Sequence, residues 1–143
     1  ESETRMVGSL NALAQNAQVV LPGLGEGQLL TEKFSPEEIA KFYHGMGVPK
    51  VIVKLGEKGA YYSEKKGEAG YVPPFPVKNI VDTVGAGDGF AAGVISALCE
   101  GLSLSDAARR GTVMGSIQIT HHSDNEGLPT REELDRVIAV GSV

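Results

Sequence analysis

The stretch NIVDTVGAGDGFAAGVISALCEG, Asn79 to Gly101, decides how this chain is read. An apolar run leads in and a small-residue, apolar helix pattern leads out. Between them four glycines, Gly85, Gly87, Gly89 and Gly93, surround one acid, Asp88. Two familiar phosphate signatures fail on spacing. A P-loop needs Gly-Lys-Ser/Thr, and no such lysine is here. A dinucleotide fingerprint starting at Gly85 needs glycine where Phe90 stands, and a ribose-binding acid about twenty residues on is missing. The segment nevertheless has the physics of an anion site. Glycines let backbone N–H groups turn inward, and the helix that starts here adds its positive end. The N–H groups of Gly85, Ala86 and Gly87 can therefore line an anion hole. A carboxylate would repel a merely bound phosphate, but it suits a base that accepts the proton of a hydroxyl attacking phosphorus. The alternative stands beside this reading: the glycines serve only close helix packing, and Asp88 is an ordinary helix-start acid.

Working outward, residues 3–17 read as an amphipathic helix with Met6, Leu10, Leu13 and Ala14 at helical spacing and Ser2 as a cap. Residues 18–22 read as a short strand stopped by Pro22, and GLGEGQLL as a glycine-rich turn entering a short helix. SPEEIAKFYHGMG carries Ser35 at the N-cap, Pro36 at N1 and acids in the first turn. Residues 50–56 are a second strand, and GAYYSEKKGEAGYVPPF a hairpin turning at Lys65-Lys66-Gly67. VKNIVDT is strand-like. Helices are predicted at about 86–100 and 103–119, and a third at TREELDRVIAV with a Thr130–Glu133 capping box. Helices alternating with short apolar strands predict an α/β layer with a mainly parallel sheet, flanking helices and one inserted β-hairpin, in a single domain over residues 1–143.

The composition is that of a globular protein, with 41% hydrophobic and 22% charged residues. A net charge of -5 without basic clusters argues against nucleic acid, whose phosphates need a basic face. No apolar run reaches membrane-spanning length, so no membrane partner is expected. The single Cys99 lies in an apolar helix pattern and reads as a core residue; one cysteine fits a reducing cytoplasm. The chain opens on Glu1 rather than Met, and a piece of something longer is expected. His121, His122 and Asp124 read as a solvated loop group, His44 as a helix-end residue, Arg109 and Arg110 as solvated, with one of them reaching a nucleotide phosphate as the alternative, and Tyr61, Tyr62 and Tyr71 as cross-strand partners.

DTVGAGDGFAAG, Asp82 to Gly93, closely resembles the C-terminal signature of the ribokinase-like (phosphofructokinase-B type) carbohydrate kinases, D-T-x-G-A-G-D-x-F. VIVKLGEKGAYY resembles the strand and hairpin that precede it there. GYVPPFPVKNIVDTVGAGDGFAAGVISAL and SDNEGLPTREEL look most like the 2-keto-3-deoxygluconate kinase branch of that family. The resemblance covers nearly the whole chain, as the C-terminal, nucleotide-binding part of the fold. It implies ATP-dependent phosphorylation of a sugar or sugar-acid hydroxyl, with Asp88 as catalytic base and Gly85, Ala86 and Gly87 as anion hole. It implies a monovalent cation, K+, near Asp82 and Val84, completed around Ser123 and Gly127. Lys54, Gly56 and Gly59 fall where the family runs along the nucleotide, and Thr112 where an Asn often lies near its base. Of the Asn-x-x-Glu that organises Mg2+, only Glu26 matches; Gly23 stands in the Asn position. The family's sugar-binding half and lid are missing from these residues. The piece by itself is therefore expected to fold without phosphorylating sugar, and to form homo-oligomers or associate through an uncovered sheet edge. A nucleotide- or anion-binding module without catalysis is the other function these residues allow.

Overall fold

The computed structural model describes residues 2–120 and 129–141. The chain divides into two units, residues 1–72 and 73–143.

In the first unit, α1 (Ser2–Ala14) leads to β1 (Val19–Val20), α2 (Leu24–Thr31), α3 (Pro36–Gly45), β2 (Lys50–Lys54), β3 (Ala60–Glu64) and β4 (Ala69–Val72). The sheet order is β1-β2-β3-β4. β1 pairs parallel to β2, with Val19 opposite Lys50; β2–β3 and β3–β4 are antiparallel, with Ile52 opposite Tyr62 and Tyr61 opposite Tyr71. The α/β layer and the hairpin are as predicted, but the sheet is mixed, not mainly parallel. Two tight turns supply the antiparallel pairs, Gly56–Lys58 between β2 and β3 and Lys65–Gly67 between β3 and β4, because a tight turn can only return the chain antiparallel. Val51, Ile52 and Val53 are all fully buried, which explains why β2 is an unbroken apolar run. Ile39, Ala40, Tyr43, Val48, Val51, Val53 and Tyr61 form the core. The α3 start is held reciprocally: Ser35 Oγ accepts from Glu38 N–H, and Glu38 Oε2 accepts from Ser35 N–H, both at 3.2 Å. The Ser35 backbone N–H first, then the Ser35 hydroxyl, which donates to Glu38 Oε2 at 3.1 Å, hold the Glu38 carboxyl below its ordinary range.

α1 turns a different face inward from the one its apolar stripe predicts. Met6, Leu10 and Leu13 are exposed, Leu13 by 72%, and Ser2 lies within the helix rather than capping it. The inner positions are Val7, Asn11 and Ala14. Asn11 sets this rotation: its Nδ2 donates to the Leu30 carbonyl at 2.7 Å, and its Oδ1 accepts from the Tyr43 hydroxyl at 3.4 Å. His44 is likewise more engaged than a helix-end residue, lying within hydrogen-bond reach of the Val48 carbonyl and Ser63 Oγ.

The second unit holds α4 (Ala86–Cys99), α5 (Leu104–Gln118) and α6 (Arg131–Val140). Ser103 caps α5 and Thr130 caps α6, accepting from Asp106 N–H at 3.1 Å and Glu133 N–H at 3.3 Å. Val113, Met114, Ile117 and Leu134 form its core, with Phe75, Ala92 and Val137 against them. Three expectations are corrected. Residues 77–83 form no strand; the N–H groups of Val81 and Asp82 donate instead to the Ile119 carbonyl, at 2.8 and 3.1 Å. Cys99 is exposed. The buried stripe of α4 runs Phe90, Val94, Ala97, and two further residues rotate Cys99 by about 200° away from it. Arg110 is buried, not solvated: its Nη2 donates to Glu100 Oε2 at 2.9 Å and its Nη1 to Ser96 Oγ at 3.2 Å. His121, His122, Ser123, Asp124 and Gly127 lie outside the described residues.

Candidate functional site

The candidate turn is built by local hydrogen bonds and one glycine. Asp82 Oδ1 accepts from Val84 N–H at 2.9 Å, an Asx turn that bends the chain toward the helix. Gly85 follows at φ 83° and ψ -6°, the left-handed region, where a side chain would strain the backbone. Its carbonyl accepts the first helical bond, from Gly89 N–H at 2.9 Å. No side chain caps α4. Ala86 N–H reaches the Thr83 carbonyl at 3.4 Å, whereas no acceptor among the described residues meets the N–H groups of Gly85, Gly87 or Asp88. A helix start normally presents such unfilled donors, and a fourteen-residue helix adds its dipole to them. Asp88 projects from this first turn and is exposed.

The four glycines thus divide by task. Gly85 makes the turn and Gly87 lies in the first turn, while Gly89 and Gly93 permit close helix contact. A Cβ on Gly89 would stand 3.0 Å from the Met114 carbonyl oxygen, and one on Gly93 2.8 Å from that of Arg110. The register, early α4 against late α5, makes the two helices antiparallel. Close packing therefore accounts for the second pair of glycines.

Asp82, Val84, Gly85, Ala86, Gly87 and Asp88 share this one turn. Thr112 sits in α5, buried, and its hydroxyl donates to the Arg109 carbonyl at 2.7 Å within the same helix. Glu26, Lys54, Gly56 and Gly59 belong to the first unit. There Lys54 N–H donates to the Pro22 carbonyl at 2.8 Å, and Gly23 bridges in parallel to Lys54. This sets the start of α2, with Glu26, beside the carboxyl end of β2, where α/β sheets collect ligands. Gly59, at φ 90° and ψ -133°, occupies a conformation nearly reserved for glycine, and it turns the chain from the 3-10 turn at Gly56–Lys58 into β3. Glu26 Oε2 accepts from Gly23 N–H at 3.4 Å, a long cap that leaves the carboxylate accessible. Among the described residues no three of His, Cys, Asp and Glu converge. A lone carboxylate fits Mg2+, which keeps several waters and shares its coordination with substrate phosphates.

The sequence reading missed two features around this turn. One is the Ile119 carbonyl that anchors Val81 and Asp82. The other is the Arg110–Glu100–Arg131 network, in which Glu100 also accepts from both terminal nitrogens of Arg131, one of them at 3.2 Å. Both join residues far apart in sequence, and no local pattern announces them.

The pattern that defines the pfkB family carbohydrate kinases matches residues 1–131. The chain is 46% identical over 132 residues to the 2-dehydro-3-deoxygluconokinase of Bacillus subtilis, covering 92% of this chain and 40% of that protein. The crystal structure of a PfkB protein from Polaromonas sp. JS666 superposes with a TM-score of 0.79 at 44% identity, over 94% of this chain and 41% of that one. Arabidopsis thaliana ribokinase, solved with ribose and ATP, superposes with a TM-score of 0.80 at 27% identity, over 90% of this chain and 43% of that one. The chain therefore spans about two fifths of the length of the proteins it matches.

Proposed function

Because the chain belongs to the pfkB family of carbohydrate kinases and has its ribokinase-like α/β fold, we propose that it is the C-terminal, nucleotide-binding and catalytic half of a sugar-acid kinase. We propose that residues 1–143 act as one domain of that kinase; the family match, running across both units, supports this. The reaction is transfer of the ATP γ-phosphoryl group to a hydroxyl, most specifically 2-keto-3-deoxygluconate to its 6-phosphate. The substrate follows the name of the Bacillus subtilis relative. The observation that carries the reading is the Gly85–Asp88 turn: N–H groups that no acceptor among the described residues fills, and a carboxylate, on one exposed helix start.

In this mechanism the substrate hydroxyl attacks phosphorus, an O–P bond forms, and the bond to the β-phosphate oxygen breaks to release ADP. Asp88 accepts the hydroxyl proton. The N–H groups of Gly85, Ala86 and Gly87 hold the charge of the transferred group; one such donor is typically worth about 2.7–4 kcal/mol. Ala86, already turned toward Thr83, contributes least. Mg2+, when bound, neutralises phosphate charge, and Glu26 would hold it through its water shell. Asp82 and the Val84 backbone would hold K+. Lys54, Gly56 and Gly59 would line the nucleotide, and Thr112 its base. Cytoplasmic location and self-association through the outer edge of β1 belong to the same proposal.

The test is Asp88→Asn in the complete protein, assayed for Mg2+-dependent transfer from ATP to 2-keto-3-deoxygluconate. Turnover should fall by about 10²-fold or more while nucleotide affinity stays nearly intact. Near-normal turnover removes Asp88 from the mechanism. The second reading, a binding module without catalysis, draws on Gly23 in place of the Asn that organises Mg2+. ATP binding without turnover on any sugar or sugar acid would favour it.

A further inference from the structure

The first turn of α4 is seated on the last turn of α5 with backbone close against backbone. A Cβ built on Gly115 would stand 3.1 Å from the Ala86 carbonyl oxygen and 3.7 Å from Phe90 Cβ. Ala86 is the first residue of α4, two before Asp88. A Cβ at that distance obliges its neighbour to give by a few tenths of an ångström, and a backbone carbonyl has no rotamer with which to do so. The same α4–α5 contact continues at Gly89, where a Cβ would stand 3.0 Å from the Met114 carbonyl oxygen. The lead-in is tied there too: Val81 and Asp82 N–H bond the Ile119 carbonyl, and Ile119 N–H bonds Gly115 at 3.3 Å. Gly111 offers the contrast. The three atoms nearest a Cβ there all belong to side chains, Val94 Cγ2 at 2.9 Å and two of the Phe90 ring at 3.0 Å.

We propose that Gly115 is a positioning residue for phosphoryl transfer: its missing side chain sets where Ala86, and with it the Asp88 carboxylate and the open N–H groups, come to rest. The inference rests on the catalytic reading of that turn. Gly111 sets only how tightly the two helices pack. The two glycines occupy one helix, one turn apart, so substituting each separates placement of the turn from general packing.

The experiment compares Gly115→Ala, Gly111→Ala and Asp88→Asn in the complete protein by kcat, KM for ATP and Tm. Sub-ångström misplacement of a reacting group predicts a kcat lower by roughly 10-fold in Gly115→Ala, with KM for ATP within about two-fold. Gly111→Ala should lose at least as much Tm and keep kcat within about two-fold, because it leaves the turn in place. Unchanged kcat in Gly115→Ala, or kcat losses in both glycine variants that follow their losses of Tm, overturns the proposal. If Gly115→Ala does not fold, Gly89→Ala presses on the same turn from α4 and should show the same split; normal kcat there overturns it equally. Asp88→Asn distinguishes the two levels. Lost turnover there beside normal Gly115→Ala removes only the positioning role, whereas retained turnover in Asp88→Asn removes the catalytic reading and this inference with it.

Discussion

Asp82 and Val84 are joined by a 2.9 Å hydrogen bond from the Val84 backbone to the Asp82 carboxylate, one residue ahead of the left-handed Gly85. One carboxylate oxygen thus shapes the turn, and in the proposed function the charge of the same group holds K+. Substitution separates the two tasks. Asp82→Asn keeps an acceptor and loses the charge; Asp82→Ala loses both. At saturating K+ the Asn variant should turn over faster than the Ala variant, while needing more K+ than the unaltered protein to reach half its maximum. The lost bond is worth about 1 kcal/mol, so the gap between the variants should be several-fold. Equal turnover in the two at saturating K+ would show that this bond does not hold the turn.

Glu100 joins three helices of the second unit, accepting from buried Arg110 on α5 and from Arg131 at the start of α6. The Arg110 hydrogen bond first, then that of Arg131, draws its carboxyl from 4.5 down to about 2. A carboxyl with a depressed folded value stabilises the fold above its unfolded value and loses that contribution as pH falls through the folded one. Glu100→Gln should therefore have a lower Tm than the unaltered protein at neutral pH, and the difference should shrink as pH falls from about 4.5 toward 2. A difference in Tm that stays constant across that window would exclude the ion pairs as its source.

His44 lies 2.9 Å through Nδ1 from the Val48 carbonyl and 2.8 Å through Nε2 from Ser63 Oγ. A carbonyl only accepts, so neutral His44 carries its proton on Nδ1, and the Ser63 hydroxyl donates to Nε2. Nitrogen chemical shifts should report a protonated δ1 and an unprotonated ε2; the reverse pattern refutes the assignment. Ser63→Ala should cost about 1 kcal/mol by removing the donor to a partly buried ring nitrogen.

The candidate turn was legible because its parts lie within seven residues, Asp82 to Asp88, and each has a local cause: an Asx acceptor, a glycine able to adopt positive φ, a helix start. The same holds for the Ser35 and Thr130 caps and for the hairpin at Lys65–Gly67. Thr112 shows the limit of local pattern. Its place on α5 was readable, but the acceptor of its hydroxyl, the Arg109 carbonyl, depends on a rotamer.

By itself the sequence determined the order of elements from α1 to β4 and of the three later helices, the hairpin, the Ser35 and Thr130 caps and the glycine turn with its single acid, because bonds between near neighbours specify each of these. Tertiary structure alone decided which way α1 faces, since Asn11 had to meet Leu30 and Tyr43, and no periodicity reveals a distant carbonyl. It decided that residues 77–83 remain outside any strand, since a strand requires a neighbour to complete its hydrogen bonds, and here one carbonyl, that of Ile119, takes two of them. It decided that Arg110 is buried, because only the antiparallel packing of α4 on α5 brings Glu100 within reach of a guanidinium ten residues away. Local bonds set what each segment becomes; its partners, contributed by residues far along the chain, set which of its faces is used.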